Sequence, residues 1–168
     1  MLDRLPEQIE PLGLADVGRS FRGELPVSAL TRLAGVLRDT QGELAVELRF
    51  GIDERRVRAV GGRIAGELRL TCQRCLEELR FPLDLEFRLG VVRDEAEGGK
   101  LPEGYEPLLA SGDPMPLAEI VEDEVILALP VIASHGDESG CEMKYRNTGT
   151  PAERENPFAV LEKLKSKA

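Results

Sequence analysis

The sequence has no tryptophan, only three cysteines and a single histidine. One histidine rules out catalytic sites built from several imidazoles. There is also no Gly-rich phosphate loop, no G-x-S-x-G elbow and no HExxH helix, so the common hydrolase and nucleotide-binding classes have nothing to stand on. Long apolar runs are missing too. The longest, Val125 to Ala133, is interrupted by Pro130 and falls well short of the ~20 residues that cross a bilayer. The start, Met1-Leu2-Asp3-Arg4-Leu5-Pro6, lacks a basic stretch followed by an apolar one, so no secretion signal is visible. An odd number of cysteines without an export signal points to a reducing compartment rather than a disulfide framework. The expectation is a cytoplasmic protein with no membrane contact.

What remains is ordinary in amount and unusual in placement. A chain of 168 residues fits one domain, residues 1–168, and can bury roughly 70% of its unfolded surface. The net charge of −9 is unevenly spread. Residues 1–93 balance 15 Arg against 15 acidic groups and contain no Lys. Residues 94–143 hold 13 acidic groups against one Lys, and the remainder from Lys144 returns +3. Such a middle segment repels a polyanion and suits either solubility or a basic protein partner.

Residues 1–25 show little periodicity and read as an extended lead-in with one edge strand. Pro26, followed by Val27, Leu30, Leu33, Ala34 and Leu37, has helical spacing. The period then changes to two. Leu44, Val46, Leu48 and Phe50 form one alternating set. Ile64, Gly66, Leu68, Leu70 and Cys72 form a second, and Phe81, Leu83, Leu85, Phe87 and Leu89 a third. A shorter strand over Val57 to Val60 is expected to turn at Gly61-Gly62 into the second set. The pattern predicts an antiparallel meander with one buried face.

On the opposite face the order Glu47-x-Arg49, Glu67-x-Arg69 and Glu86-x-Arg88 allows cross-strand ion pairs. Much of the arginine would then be neutralised within the sheet. Arg55, Arg56, Arg58, Arg74 and Arg80 fall at strand ends or turns and are left to contact phosphate.

Asp94 to Pro116 reads as a long acidic loop and Leu117 to Leu129 as a helix ended by Pro130. In that helix Glu122, Asp123 and Glu124 read as a solvated face, because carboxylates at consecutive helical positions fan apart and do not converge on magnesium. Residues 134–156 are polar and expected to be mobile. Asn156 and Pro157 make a helix start, and Phe158, Leu161 and Leu164 then share a face. The fold class is α+β: an antiparallel meander or partly closed sheet packed with a few helices, a long acidic loop and a short C-terminal helix.

All the metal-competent soft ligands fall in two clusters. Cys72-Gln73-Arg74-Cys75 has C-x2-C spacing between two predicted strands, and His135 and Cys141 follow after a 59-residue gap. A Cys3His set is a standard structural zinc site, and a C-x2-C turn presents two thiolates to one ion. One structural zinc ion on Cys72, Cys75, His135 and Cys141 is therefore one expectation. The alternatives are that Cys72 simply fills the buried face while His135 is a solvated loop residue, or that the thiols are redox-active. The last lacks its usual helix N-terminus in a βαβ setting.

Four segments resemble a known family in this order: Leu70-Thr71-Cys72-Gln73-Arg74-Cys75, Leu101-Pro102-Glu103-Gly104-Tyr105-Glu106-Pro107, Val121 through Pro130, and Asn156-Pro157-Phe158-Ala159-Val160-Leu161. The chain is similar to the YceD family, the large ribosomal RNA subunit accumulation proteins. The resemblance implies a cytosolic ribosome-biogenesis factor supporting synthesis, processing or stability of 23S ribosomal RNA, with no known catalytic residues to carry over. Relatives with a more cysteine-rich stretch around His135 and Cys141 imply metal tethering there. The partners implied are ribosomal RNA or a pre-ribosomal particle, and a basic ribosomal or RNA-processing protein. The alternatives are a protein-contact regulator of an RNA-processing enzyme, and a metal-dependent hydrolase.

Overall fold

The computed structural model describes residues 5–136 and Cys141. The expected C-terminal helix from Asn156, and most of the 134–156 segment, lie outside those residues.

Strand formation follows the two-residue alternation. β3 (Glu43–Ile52), β4 (Arg58–Thr71) and β5 (Glu78–Val92) pair antiparallel and bury most of the inward sets read from the sequence, while Phe81, Leu85 and Phe87 are half-buried and Gly66 is exposed. β2 (Ser20–Pro26) adds an antiparallel edge and β6 (Glu106–Leu109) pairs parallel with β5 on the other edge. The order is β2-β3-β4-β5-β6, so the sheet is open rather than partly closed, its end strands separated by three others. Its buried face is covered by helix and turn segments instead of by its own curl. β1 (Gln8–Ile9) and β7 (Met115–Pro116) form a separate two-stranded ribbon.

Several sequence expectations are corrected. Gly61-Gly62 is not a turn: β4 runs straight through it. In register Gly62 lies between Leu48 and Phe87, and the space a Cβ would need is filled by the Phe87 ring and by Leu48 Cδ2. The glycine is there for close approach, so an aromatic can lie across the sheet. The lead-in contains a seven-residue helix, α1 (Pro11–Val17). Its signals are local: Pro11 at the first position, the Glu10 carboxylate accepting from Leu12 and Gly13 N–H, and Gly18 closing it at φ 69°. The acidic loop also contains structure, namely a one-turn helix α2 (Glu95–Gly98) capped by Asp94, then β6 and β7. Strands of four and two residues are too short to show a period.

The predicted helix after Pro26 does not form. Two 3₁₀ turns, Val27–Ala29 and Leu33–Gly35, replace it, yet Val27, Leu30, Leu33 and Leu37 are buried as their spacing required, and only Ala34 of the set is exposed. The reason is ninety residues away. α3 (Leu117–Ala128) buries Leu117, Ile120, Val121 and Val125, but also Glu122, which is only 4% exposed. Its carboxylate accepts from the backbone N–H of Arg32 (2.6 Å) and of Leu33 (3.1 Å), and from Arg32 Nε (2.8 Å). Those amides are served by a side chain instead of by a helical ladder. Glu122 is therefore not part of a solvated face, although Asp123 is exposed and pairs with Arg32 Nη1 at 2.7 Å.

A candidate metal centre at the end of the sheet

β4 ends at Thr71 and β5 begins at Glu78, and the connection between them folds back on itself. Cys72 N–H donates to the Glu77 carbonyl (2.9 Å) and Leu76 N–H to the Cys72 carbonyl (2.9 Å). Leu76 takes a left-handed φ of 61°, a conformation that a branched aliphatic side chain adopts at a cost. This tight return turns both Cys72 and Cys75 inward, and both are buried.

The backbone N–H of Cys75 points at Cys72 Sγ. Together with those of His135 and Arg74 it holds the thiol down at about 5, against the opposing push of burial. Amides converging on a sulfur favour its thiolate, the form that ligates metals.

The later segment comes to this turn from the end of α3. Gln73 N–H donates to the Ala133 carbonyl at 2.8 Å, which brings His135 alongside. His135 Nε2 lies 2.9 Å from the Glu78 carbonyl. A carbonyl only accepts, so Nε2 carries the proton and Nδ1 has the free lone pair. Nδ1 faces the cluster, 3.5 Å from Cys75 Sγ. Cys141 Sγ completes it, 3.7 Å from Cys72 Sγ. Burial, then the neighbouring Cys75 and Cys72 sulfurs, push the Cys141 thiol up to about 11. Negative charge on several of these sulfurs together needs a cation among them.

The spacing can be tested against a known geometry. Tetrahedral zinc, with Zn–S about 2.3 Å and Zn–N about 2.05 Å, sets S···S near 3.8 Å and S···N near 3.5 Å. The observed 3.7 and 3.5 Å fit, and all four ligand atoms lie within 4.8 Å of one another. The sulfurs are far beyond the ~2.05 Å of a disulfide, and the three cysteines are free. The four residues singled out in the sequence thus come together and could hold a metal ion. Among the described residues they are the one such group. The Glu78 carbonyl that orients His135 was not foreseen, since a backbone oxygen leaves no mark in a sequence.

The arginines are placed less freely than expected. On the outward face of the sheet Arg63 forks onto Asp84 (2.8 and 2.8 Å), and Arg22 reaches Glu47 at 3.1 Å. In register Glu47, Arg63 and Glu86 stand side by side. Cross-strand pairs therefore form, but with Arg22, Arg63 and Asp84, which were not foreseen; of the expected arginines, Arg49 reaches Glu47 of its own strand, and Arg69 and Arg88 turn to Asp39 and Asp53 outside the strands. Arg58, expected to be available at a strand end, is bound at 2.6 and 3.3 Å by Asp16 of α1. Arg55 donates to the Glu103 carbonyl at 3.4 Å and Arg80 approaches Glu78 at 3.5 Å. Arg56 sits in a tight turn at φ 61°, and Arg74 lies within the cysteine turn. At the far end of the sheet Asp53 accepts from the Tyr105 hydroxyl, from Val57 N–H and from Arg88, whose guanidinium stacks 4.9 Å from the Tyr105 ring centre.

No helix among the described residues is long and apolar enough to cross a membrane. No solved structure matches the chain. It is 32% identical over 171 residues to the large ribosomal RNA subunit accumulation protein YceD of Haemophilus influenzae, covering 98% of each chain. The profile of the family described as "Large ribosomal RNA subunit accumulation protein YceD" matches residues 60–165, a span that includes all four clustered ligands. With that profile over more than half its length and that relative along nearly all of it, the chain belongs to the YceD family.

Proposed function

We propose that this protein is a cytoplasmic ribosome-biogenesis factor that supports synthesis, processing or stability of 23S ribosomal RNA by binding rather than by catalysis. The observation that carries the reading is the identity along 98% of a relative named for accumulation of the large ribosomal RNA subunit. The test is deletion of the gene followed by sedimentation of ribosomes. A fall in large relative to small subunits is expected, and an unchanged ratio would end the reading.

Cys72, Cys75, His135 and Cys141 would hold one structural zinc ion. Support comes from the donor set, the Nε2–H tautomer fixed by the Glu78 carbonyl, which leaves Nδ1 free, and the 3.7 and 3.5 Å spacings, which match a tetrahedral zinc. Four protein ligands fill a tetrahedral centre and leave no open position for substrate, so the ion's contribution when bound is a cross-link. Cys72 and Cys75 anchor it to the sheet turn, while His135 and Cys141 anchor the chain that follows α3. Elemental analysis should find stoichiometric zinc in the parent protein and none in Cys75→Ser or Cys141→Ser. A metal-free parent protein would remove the site.

A second reading, contact through protein alone, is favoured by one observation. Among the described residues Arg22, Arg58 and Arg63 of the sheet are engaged by Glu47, Asp16 and Asp84, which leaves less basic charge for phosphate. Crosslinking in cells separates the two, since a protein-contact regulator recovers protein without ribosomal RNA.

A further inference from the structure

The outward side of α3 and the residues after it carry apolar groups that the core does not use. Leu127 is 71% exposed, Ile132 70% and Val131 101%. Val131 and Ile132 also border a groove of about 390 Å³ that runs from Leu129 to Val36, against the cysteine turn. Scattered exposed aliphatics are ordinary, but three within six positions, two of them bordering a groove, are out of the ordinary and suit a contact surface. Acidic groups adjoin it. Glu119 and Asp123 share the outward side of the helix with Leu127, and Glu124 lies at its edge facing Glu106. Among the described residues no Lys or Arg forms an ion pair with Glu106, Glu119 or Glu124. Burial, then Glu106 and Asp123, raise the Glu124 carboxyl above its ordinary value, as expected of a half-buried carboxylate beside like charges.

We propose that this acid-flanked apolar face of α3 and Pro130–Ile132 docks a lysine- and arginine-rich segment of a second protein that carries apolar anchor side chains. Basic groups would meet Glu119 and Glu124, and aliphatic ones would settle against Leu127, Val131 and Ile132. Three other occupants fit less well. Nucleic acid would bring phosphate to unpaired carboxylates. A second copy related by two-fold symmetry would set acidic helix against acidic helix. The chain's own residues 144–168 mix six basic residues with Glu153, Glu155 and Glu162, a poorer match to Glu119 and Glu124 than a segment of lysine and arginine. The inference gives a location and a chemistry to the protein partner in the proposed function, and rests on that reading for its biological role.

The test uses the full chain and a fluorescent peptide of lysine and leucine, with leucine at helical spacing. An all-lysine peptide and an RNA oligonucleotide serve as comparison ligands. The parent should bind the first peptide best. The variant Leu127→Ser/Val131→Ser/Ile132→Ser should weaken binding about tenfold or more, the loss expected when central anchors are removed. Glu119→Gln/Glu124→Gln should weaken it several-fold and flatten its salt dependence. Glu24→Gln/Glu43→Gln, the same charge change elsewhere, should leave it unchanged. Equal losses in the two charge variants, or no loss in the serine variant, would overturn the inference. So would preferred binding of the RNA, dimerisation abolished by the serine changes, or tighter peptide binding in Phe158→Ser/Leu161→Ser, which would make the tail the occupant. Urea midpoints within error of the parent keep the comparison fair. A normal subunit ratio in the deletion strain would defeat the ribosomal reading alone and leave the peptide result standing.

Discussion

Replacing Glu122 should expose how a single carboxylate decides the conformation of a segment ninety positions earlier. Glu122→Ala leaves the Arg32 and Leu33 N–H groups without their acceptor, and the Leu33 bond is buried. Each unsatisfied buried amide costs about 1–3 kcal/mol, the lower end applying to Arg32, which water can reach. The loss should be about 3 kcal/mol, a large share of the roughly 5–15 kcal/mol that holds a domain folded. Glu122→Gln keeps one oxygen to accept from the same amides and should lose only about 1 kcal/mol. Arg32→Ala should lose less than Glu122→Ala, because that side chain is 50% exposed. The assay is urea unfolding followed by circular dichroism at neutral pH.

The pH dependence supplies a second check. Burial pushes the Glu122 carboxyl up, but Arg32 and the two amides outweigh it and leave the folded value below 4.5. A group depressed on folding stabilises above its unfolded value, and that stabilisation disappears as pH falls through the folded one. The gap between parent and Glu122→Ala should therefore be full at neutral pH and shrink below pH 4.5. Equal stability of the Ala and Gln variants, or a gap that widens in acid, would refute the argument.

Three further outcomes are expected. Gly62→Ala should destabilise by about 1–3 kcal/mol, because the added methyl meets Phe87 and Leu48, and Phe87→Leu in the same chain should restore part of the loss in urea unfolding. The Tyr105 hydroxyl, raised above its ordinary 10.0 chiefly by its bond to Asp53, should titrate at lower pH in Asp53→Asn, as read by tyrosinate absorbance. If metal occupies the cysteine cluster, chelation should lower the melting temperature of the parent and leave Cys141→Ser unchanged. Cobalt substitution should give thiolate charge-transfer absorption that Cys72→Ser weakens.

Some of this was legible because it depends only on neighbours in the chain. Alternation fixed which sides of β3, β4 and β5 are buried, and Pro130 marked the end of the helical run. The Cys72-x2-Cys75 spacing marked a turn, and the scarcity of other soft ligands singled out His135 and Cys141. Gly61-Gly62 misled for a physical reason: a glycine pair reads alike whether it bends the chain or makes room. The ring of Phe87, two strands' length away in sequence, settles which it is.

The sequence by itself determined composition class, strand parity, the candidate ligand set and the family resemblance, all of which survive without knowing who touches whom. Tertiary structure alone decided that Glu122 goes inward, that the spacing after Pro26 yields 3₁₀ turns, and that Asp16 occupies Arg58. It also decided that the two ligand pairs meet, with His135 turned by a backbone oxygen so that Nδ1 faces the sulfurs. A buried carboxylate, a paired arginine and an oriented imidazole are each defined by a partner distant in the chain. Local spacing carries no record of that partner.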